Sequence, residues 1–151
     1  MNPKVHLMLA DAAQAVNGKL YILGGGWSRI IAGAPFAVAL KVEVPYSQAS
    51  DRHEWKLSLA DADGSPVLVP MQQDSEPEPL VVGASFCTGI PPGVTPGTPL
   101  DYVATWSFGP GLPLAPSSRY QWTFEIDGQT DEDWTLGFDT VAMPPPLANA
   151  A

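Results

Sequence analysis

Two groups of acidic side chains stand at predicted turns: Asp61-Ala62-Asp63-Gly64, and Asp127 followed by Asp131, Glu132 and Asp133. Carboxylate oxygens are the hard ligands that calcium takes, so Asp61, Asp63, Asp127, Asp131 and Asp133 would form a site if both turns lay at one end of the fold. The spacing lacks the twelve-residue loop with its terminal glutamate, and Asp with Gly is also what a hairpin turn uses for its own backbone. Calcium is the one cofactor the sequence leaves open. A second stretch, Gly24-Gly25-Gly26, offers consecutive backbone N–H groups of the kind that cradle an anion. No Lys-Ser or Lys-Thr follows it, and the residues beyond read as extended chain, so a bulge or corner is the expected role. Trp27, Ser28 and Arg29 come next, an aromatic, a hydroxyl and a cation together. The six residues Gly24 to Arg29 are therefore the expected contact surface for a partner.

Nucleophilic and metal-assisted catalysis have little to draw on. His6 and His53 lie on two different predicted strands, both expected on the polar face, with no second histidine at ligand spacing. Cys87 follows Phe86 in a predicted strand, where an inert, at least half-buried thiol is expected. There is no Gly-x-Ser-x-Gly elbow, and in an acidic chain the abundance of paired carboxylates discriminates nothing. Five tryptophans offer stacking faces for a sugar, yet Trp55, Trp106, Trp122 and Trp134 keep step with the aliphatic residues of their own segments and are expected in the core. Trp27 is the exception, expected at the surface. No residue is assigned a catalytic role.

These residues have to be positioned by strands. Apolar side chains recur with period two almost wherever they recur at all, the pattern of a half-buried strand. Val5, Leu7 and Leu9 begin it, and Asn17-Gly18 predicts a type I′ turn into Leu20 to Leu23. Phe36, Val38, Leu40, Val42 and Val44 alternate with Lys41 and Glu43 outward. Trp55, Leu57 and Leu59 follow in His53 to Asp61, and Asp63-Gly64 turns the chain into Val67 to Val69. Residues Met71 to Pro79 read as an exposed loop before a strand at Leu80 to Thr88. The proline-rich stretches Gly89 to Pro99 and Gly109 to Ser118 are expected as surface crossovers on either side of Leu100 to Phe108. Tyr120 to Ile126 and Trp134 to Phe138 form the closing hairpin. Eight to ten short strands with two long crossovers predict an all-β fold, a two-sheet antiparallel sandwich of immunoglobulin-like type.

The chain has 151 residues, 45% of them apolar and 15% charged, with 14 glycines and 17 prolines. That is the size of one domain with enough apolar side chain for one core, expected at residues 1–142, with 143–151 as a proline-rich tail. A net charge of −9 repels phosphate backbones and anionic lipid surfaces, so neither nucleic acid nor membrane is expected as a partner. One cysteine permits no internal disulfide, and the apolar run Val5 to Ala10 is too short and too interrupted for a signal peptide or a membrane span. A soluble, cytoplasmic protein is expected.

The opening, Lys4-Val5-His6-Leu7 through Leu9-Ala10-Asp11-Ala12 to Gly18-Lys19-Leu20-Tyr21-Ile22-Leu23-Gly24-Gly25-Gly26-Trp27, resembles an uncharacterised family of small bacterial proteins. The resemblance runs on through His53 to Asp61 and the closing hairpin Arg119 to Gly128. It implies an all-β fold and a bacterial origin, and no activity or ligand. The closing segment, Tyr and Trp alternating into Ile126-Asp127-Gly128, is also similar to the final hairpins of bacterial immunoglobulin-like domains. The expected function is a non-catalytic binding or structural module, with a protein partner or self-association. A small-ligand or calcium-binding protein is the alternative, and an enzyme comes third.

Overall fold

The computed structural model of the chain describes residues 2–70 and 72–144. Eleven strands are present: β1 (Lys4–Val16), β2 (Lys19–Gly25), β3 (Arg29–Ile31), β4 (Phe36–Val44), β5 (His53–Asp61), β6 (Leu68–Val69), β7 (Glu78–Pro79), β8 (Val81–Phe86), β9 (Leu100–Phe108), β10 (Arg119–Ile126) and β11 (Thr135–Val141). A single 3₁₀ turn, Tyr46–Gln48, follows Pro45 where that proline ends β4. No helix among the described residues is long and apolar enough to cross a membrane. Met143 and Pro144 lie past β11 without regular structure, and the rest of the expected tail falls outside the described residues.

The strands form a two-sheet, sandwich-like all-β fold. One sheet runs β2-β1-β4-β9, the other β3-β11-β10-β5-β8, and β6-β7 is a small ribbon beside them. Period-two alternation explains the facing surfaces: Phe36, Val38, Leu40, Val42 and Val44 of β4 meet Trp55, Leu57 and Leu59 of β5 and Trp122 and Phe124 of β10 in one core. Phe36 touches aromatic rings from both sheets, with centroids 5.2 Å from Phe108, 5.9 Å from Phe138 and 6.5 Å from Trp122. Two partly buried polar contacts tie the sheets and corners together. Trp55 Nε1–H donates to Tyr102 Oη at 3.0 Å, and Ala115 N–H donates to Tyr120 Oη at 2.8 Å.

Three expectations need correction. First, the sandwich is not wholly antiparallel, because β3 lies parallel to β11 with Asp139 opposite Arg29. β3 arrives by crossing from the other sheet through Gly26 to Ser28 rather than by turning back in a hairpin, so nothing forces it to run against its neighbour. Second, Trp106 keeps the inward register of β9 yet is 36% exposed. β9 is an edge strand with β4 on one side, and the Trp106 ring meets Trp55 in a T-shaped contact with centroids 6.2 Å apart. Third, Cys87 falls just past β8 and is exposed, where an inert, at least half-buried thiol is expected.

The first sheet also has a second buried layer that alternation does not announce. β1 changes partner at Ala10: Lys4 to Ala10 pairs with β4, and Ala10 to Val16 pairs with β2. The β1–β2 hairpin then curls over the outer face of its own sheet, bringing β2 near β9. Ala13 and Leu20 pack there on Ala10, Ala37 and Ala39. Only alanine leaves room for a backbone to lie this close, so β4 is buried on both faces along its first half.

Candidate functional site

The hairpin is fixed at its tip by Asn17 and Gly18, both with positive φ (52° and 73°), the type I′ geometry whose twist matches the flanking strands. With Val16 and Lys19 flanking a two-residue turn, the narrow hydrogen-bonded pairs fall at Lys19, Tyr21 and Leu23. The N–H and C=O groups of Leu20 and Ile22 consequently point away from β1, along the free edge of the sheet. Direct partners share a face, so Ala13, Leu20 and Ile22 turn toward the sheet while Ala12, Val16, Tyr21 and Leu23 turn outward. Leu23 is 71% exposed, Tyr21 57% and Val16 44%. Among the described residues β2 pairs only with β1, and the two strands line a shallow groove between Ala12 to Gln14 and Tyr21 to Leu23.

The glycine run continues β2 rather than ending it. Gly25 is still in register opposite Ala10, and Gly26 N–H donates to Leu9 O at 2.8 Å. Gly24, opposite Asp11, has φ +62°, and a Cβ there would collide with the Asp11 carboxylate. Gly24→Ala is accordingly expected to destabilise the protein by about 1 to 2 kcal/mol, measured by urea unfolding, through the left-handed backbone and the displaced Asp11.

The residues after the glycines are structural in their contacts. Trp27 is half-buried, not surface-facing as expected. Its ring meets Phe36 edge-on at 6.1 Å, and its Nε1–H is buried with no hydrogen-bond partner. The apolar demand of the sandwich corner outweighs the polar neighbours in sequence. Ser28 accepts the Asp139 N–H at 2.8 Å, and Arg29 opens β3 with its guanidinium 4.0 Å from Asp139. Ser28 and Arg29 stay exposed beside these contacts, while the exposed apolar side chains of the region lie ahead of Trp27, on β2.

The acidic turns do not meet. Asp61 is opposite Tyr120 and Trp55 opposite Ile126, so Asp61 and Asp127 cap opposite ends of the β5–β10 ladder, about 20 Å or more apart. Each serves its own backbone. Asp61 Oδ1 accepts from the Asp63 and Ser65 N–H groups, and Asp131 Oδ1 accepts from Asp133 N–H. Among the described residues no three His, Cys, Asp or Glu side chains are arranged to hold a metal ion. Asp61 and Asp63 are therefore not brought together with Asp127, Asp131 and Asp133, as the expected shared calcium site requires.

His53 is the residue that sequence reasoning misplaced. It is 6% exposed, on the same face as Trp55 and Leu57, and stacks near Phe86 with centroids 5.4 Å apart. Counting back in twos from Trp55 gives this parity, so the signal was present. Its Nδ1–H donates to Asp127 Oδ2 at 2.8 Å and its Nε2–H to Gln48 O at 2.9 Å. Asp127, at φ +52°, also accepts the Glu54 N–H through Oδ1 at 2.9 Å. Burial alone would push His53 down, but the hydrogen bonds to Asp127 and Gln48, with the charges of Asp127 and Asp51, raise it above its ordinary value. For Asp127 burial pushes up, and the hydrogen bonds from His53 and Glu54 with the His53 charge outweigh it and lower the carboxyl.

Nδ1 faces the Asp127 carboxylate and Nε2 the Gln48 carbonyl, so the protonated ring satisfies both acceptors, and in that form it has no lone pair for a further proton or a metal. The neighbouring cleft, about 390 Å³ and lined by Gln48, Asp51, Asp127, Asp131 and Trp134 among others, is braced by the ring rather than served by it. His6, the other histidine, is exposed and bonded to Glu43 at 3.0 Å, an interaction that lowers the Glu43 carboxyl.

No curated protein and no solved structure matches the chain. A family model does, over residues 6–138, which takes in all but the first two residues of β1 and everything through the core residue Phe138 of β11. The chain belongs to this family, the family of unknown function DUF6941.

Proposed function

We propose that the chain is a non-catalytic, immunoglobulin-like binding module that takes an extended apolar segment of protein as an added strand along β2. The observation that carries the reading is an unpaired edge whose middle residues, Tyr21, Ile22 and Leu23, are apolar and exposed. Edges that must stay single are normally blunted by charge, proline or a bulge, and between Leu20 and Leu23 this one has none of them. Strand addition draws affinity from the free backbone groups and selectivity from alternate side chains, here Tyr21 and Leu23 on one face.

Three features support the immunoglobulin-like arrangement. The order β3-β11-β10-β5-β8 sets β11, β10 and β5 side by side, as the G, F and C strands lie in such domains. Trp55 is a buried tryptophan on the strand corresponding to C. Tyr120, at the start of the strand corresponding to F, accepts a backbone N–H from five residues upstream, the tyrosine-corner contact.

The test is a photo-cross-linking residue placed at Leu23, with the equally outward Leu68 as control, in extracts of the native host. Cross-links from position 23 to a protein segment, together with slowed amide exchange at Leu20 and Ile22 in the purified complex, are the expected result. Equal cross-linking from both positions without such protection overturns it.

A further inference from the structure

Resting on that reading, we infer that the added strand is β2 of a second copy of this chain, paired antiparallel about a twofold axis through Ile22. The free edge itself suggests this register. Its outward groups belong to Leu20 and Ile22, and an antiparallel pairing centred on Ile22 sets Ile22 against Ile22 as a hydrogen-bonded pair, with Leu20 opposite Gly24, whose φ of +62° takes it out of the extended conformation. Tyr21 and Leu23 then become reciprocal non-hydrogen-bonded neighbours, the closer kind, so each exposed ring covers the exposed leucine of the other copy. This reciprocity is what an isologous interface requires.

Charge favours the same contact. The chain carries a net −9, so two copies repel over most of their surfaces. No acidic residue occurs between Asp11 and Glu43, and the hairpin from Ala12 to Ser28 carries Lys19 alone. In the proposed register the two Lys19 side chains lie at opposite ends of the new ladder, each beside Gly25 of the other copy. The approach that buries β2 is therefore free of like-charge contacts. The exposed parts of Val16, Tyr21, Ile22 and Leu23 supply on the order of 400 Å² per copy, so the dimer buries roughly 800 Å², below the ~1,200 to 2,000 Å² of stable complexes. Association is weak and reversible, with a Kd of about 10 to 500 µM.

Sedimentation equilibrium from about 1 µM to about 1 mM reads this directly, the expected result being a rise toward twice the monomer mass. Tyr21→Lys weakens the association at least about tenfold, because a cation replaces the ring that covers Leu23. Adding Leu23→Glu to the same chain restores it by setting opposite charges across the axis. Ile22→Cys in a Cys87→Ser background, mild oxidant present, forms a disulfide dimer faster than Val81→Cys in that background, since the paired Cα atoms at the axis lie about 5.5 Å apart. Melting of the reduced variants at the wild-type midpoint establishes that they fold. A single monomeric species throughout, with no faster cross-linking at Ile22, overturns the second-copy assignment. If position 23 then cross-links to a different protein, strand addition stands without self-association; if it cross-links to nothing, both readings fall.

Discussion

Phe36→Ala is expected to lower the free energy of unfolding by about 3 to 5 kcal/mol, seen as a lower urea midpoint with an unchanged slope. The residue is 2% exposed and sits where Trp27, Phe108, Trp122 and Phe138 converge from both sheets and from the corner between them. Removing the ring forfeits its transfer from water and leaves a cavity that four rigid rings cannot close by small rotations. For a domain whose whole stability is about 5 to 15 kcal/mol, that is a large share. A loss under about 1 kcal/mol would mean that these rings do not share one packed interior.

His53→Gln is expected to cost about 2 kcal/mol near pH 5.5, with the loss shrinking toward pH 9. The magnitude is kept modest because the Asp127 side chain is 49% exposed and water screens part of the interaction. His53 is raised in the folded state, so its stabilisation is complete below about pH 6.5 and disappears as pH climbs through the raised value. Asp127 is lowered, so its stabilisation is present above about pH 3.9 and disappears as pH falls through the lowered value. Thermal midpoints of the wild type should therefore be highest between those limits, and the double variant with Asp127→Ala should cost less than the two single variants added together. A pH-independent difference between wild type and His53→Gln would show that the ring is neutral in the folded protein.

Where strands lie was legible because each inward face is a run of large apolar residues in alternation, as in Phe36 to Val44 and Tyr120 to Ile126. Sheet order was not, since alternation says which way a side chain faces and nothing about which strand lies beside it. The parallel β3–β11 contact and the separation of Asp61 from Asp127 both depend on that order. Ala10, Ala13, Ala37 and Ala39 escaped notice for a different reason. Small residues carry little hydropathy contrast, so a face packed under a close-lying hairpin reads like an indifferent one. The glycine run lies next to the exposed stretch of β2, but Trp27 drew attention away from Tyr21 and Leu23, whose periodicity looks like core and whose exposure only the fold reveals.

The pairing of β5 with β10 also governs how this protein must come into being. β10 begins some sixty residues after β5, so at about 5 to 20 residues per second a ribosome exposes the first strand for roughly 3 to 12 s before its partner is made. During that interval Trp55, Leu57 and Leu59 have only β8 beside them and no opposing strand to complete the central ladder. Nascent chains are therefore at their most adhesive midway through translation, and yield in a host should rise when elongation over the second proline-rich crossover is fast.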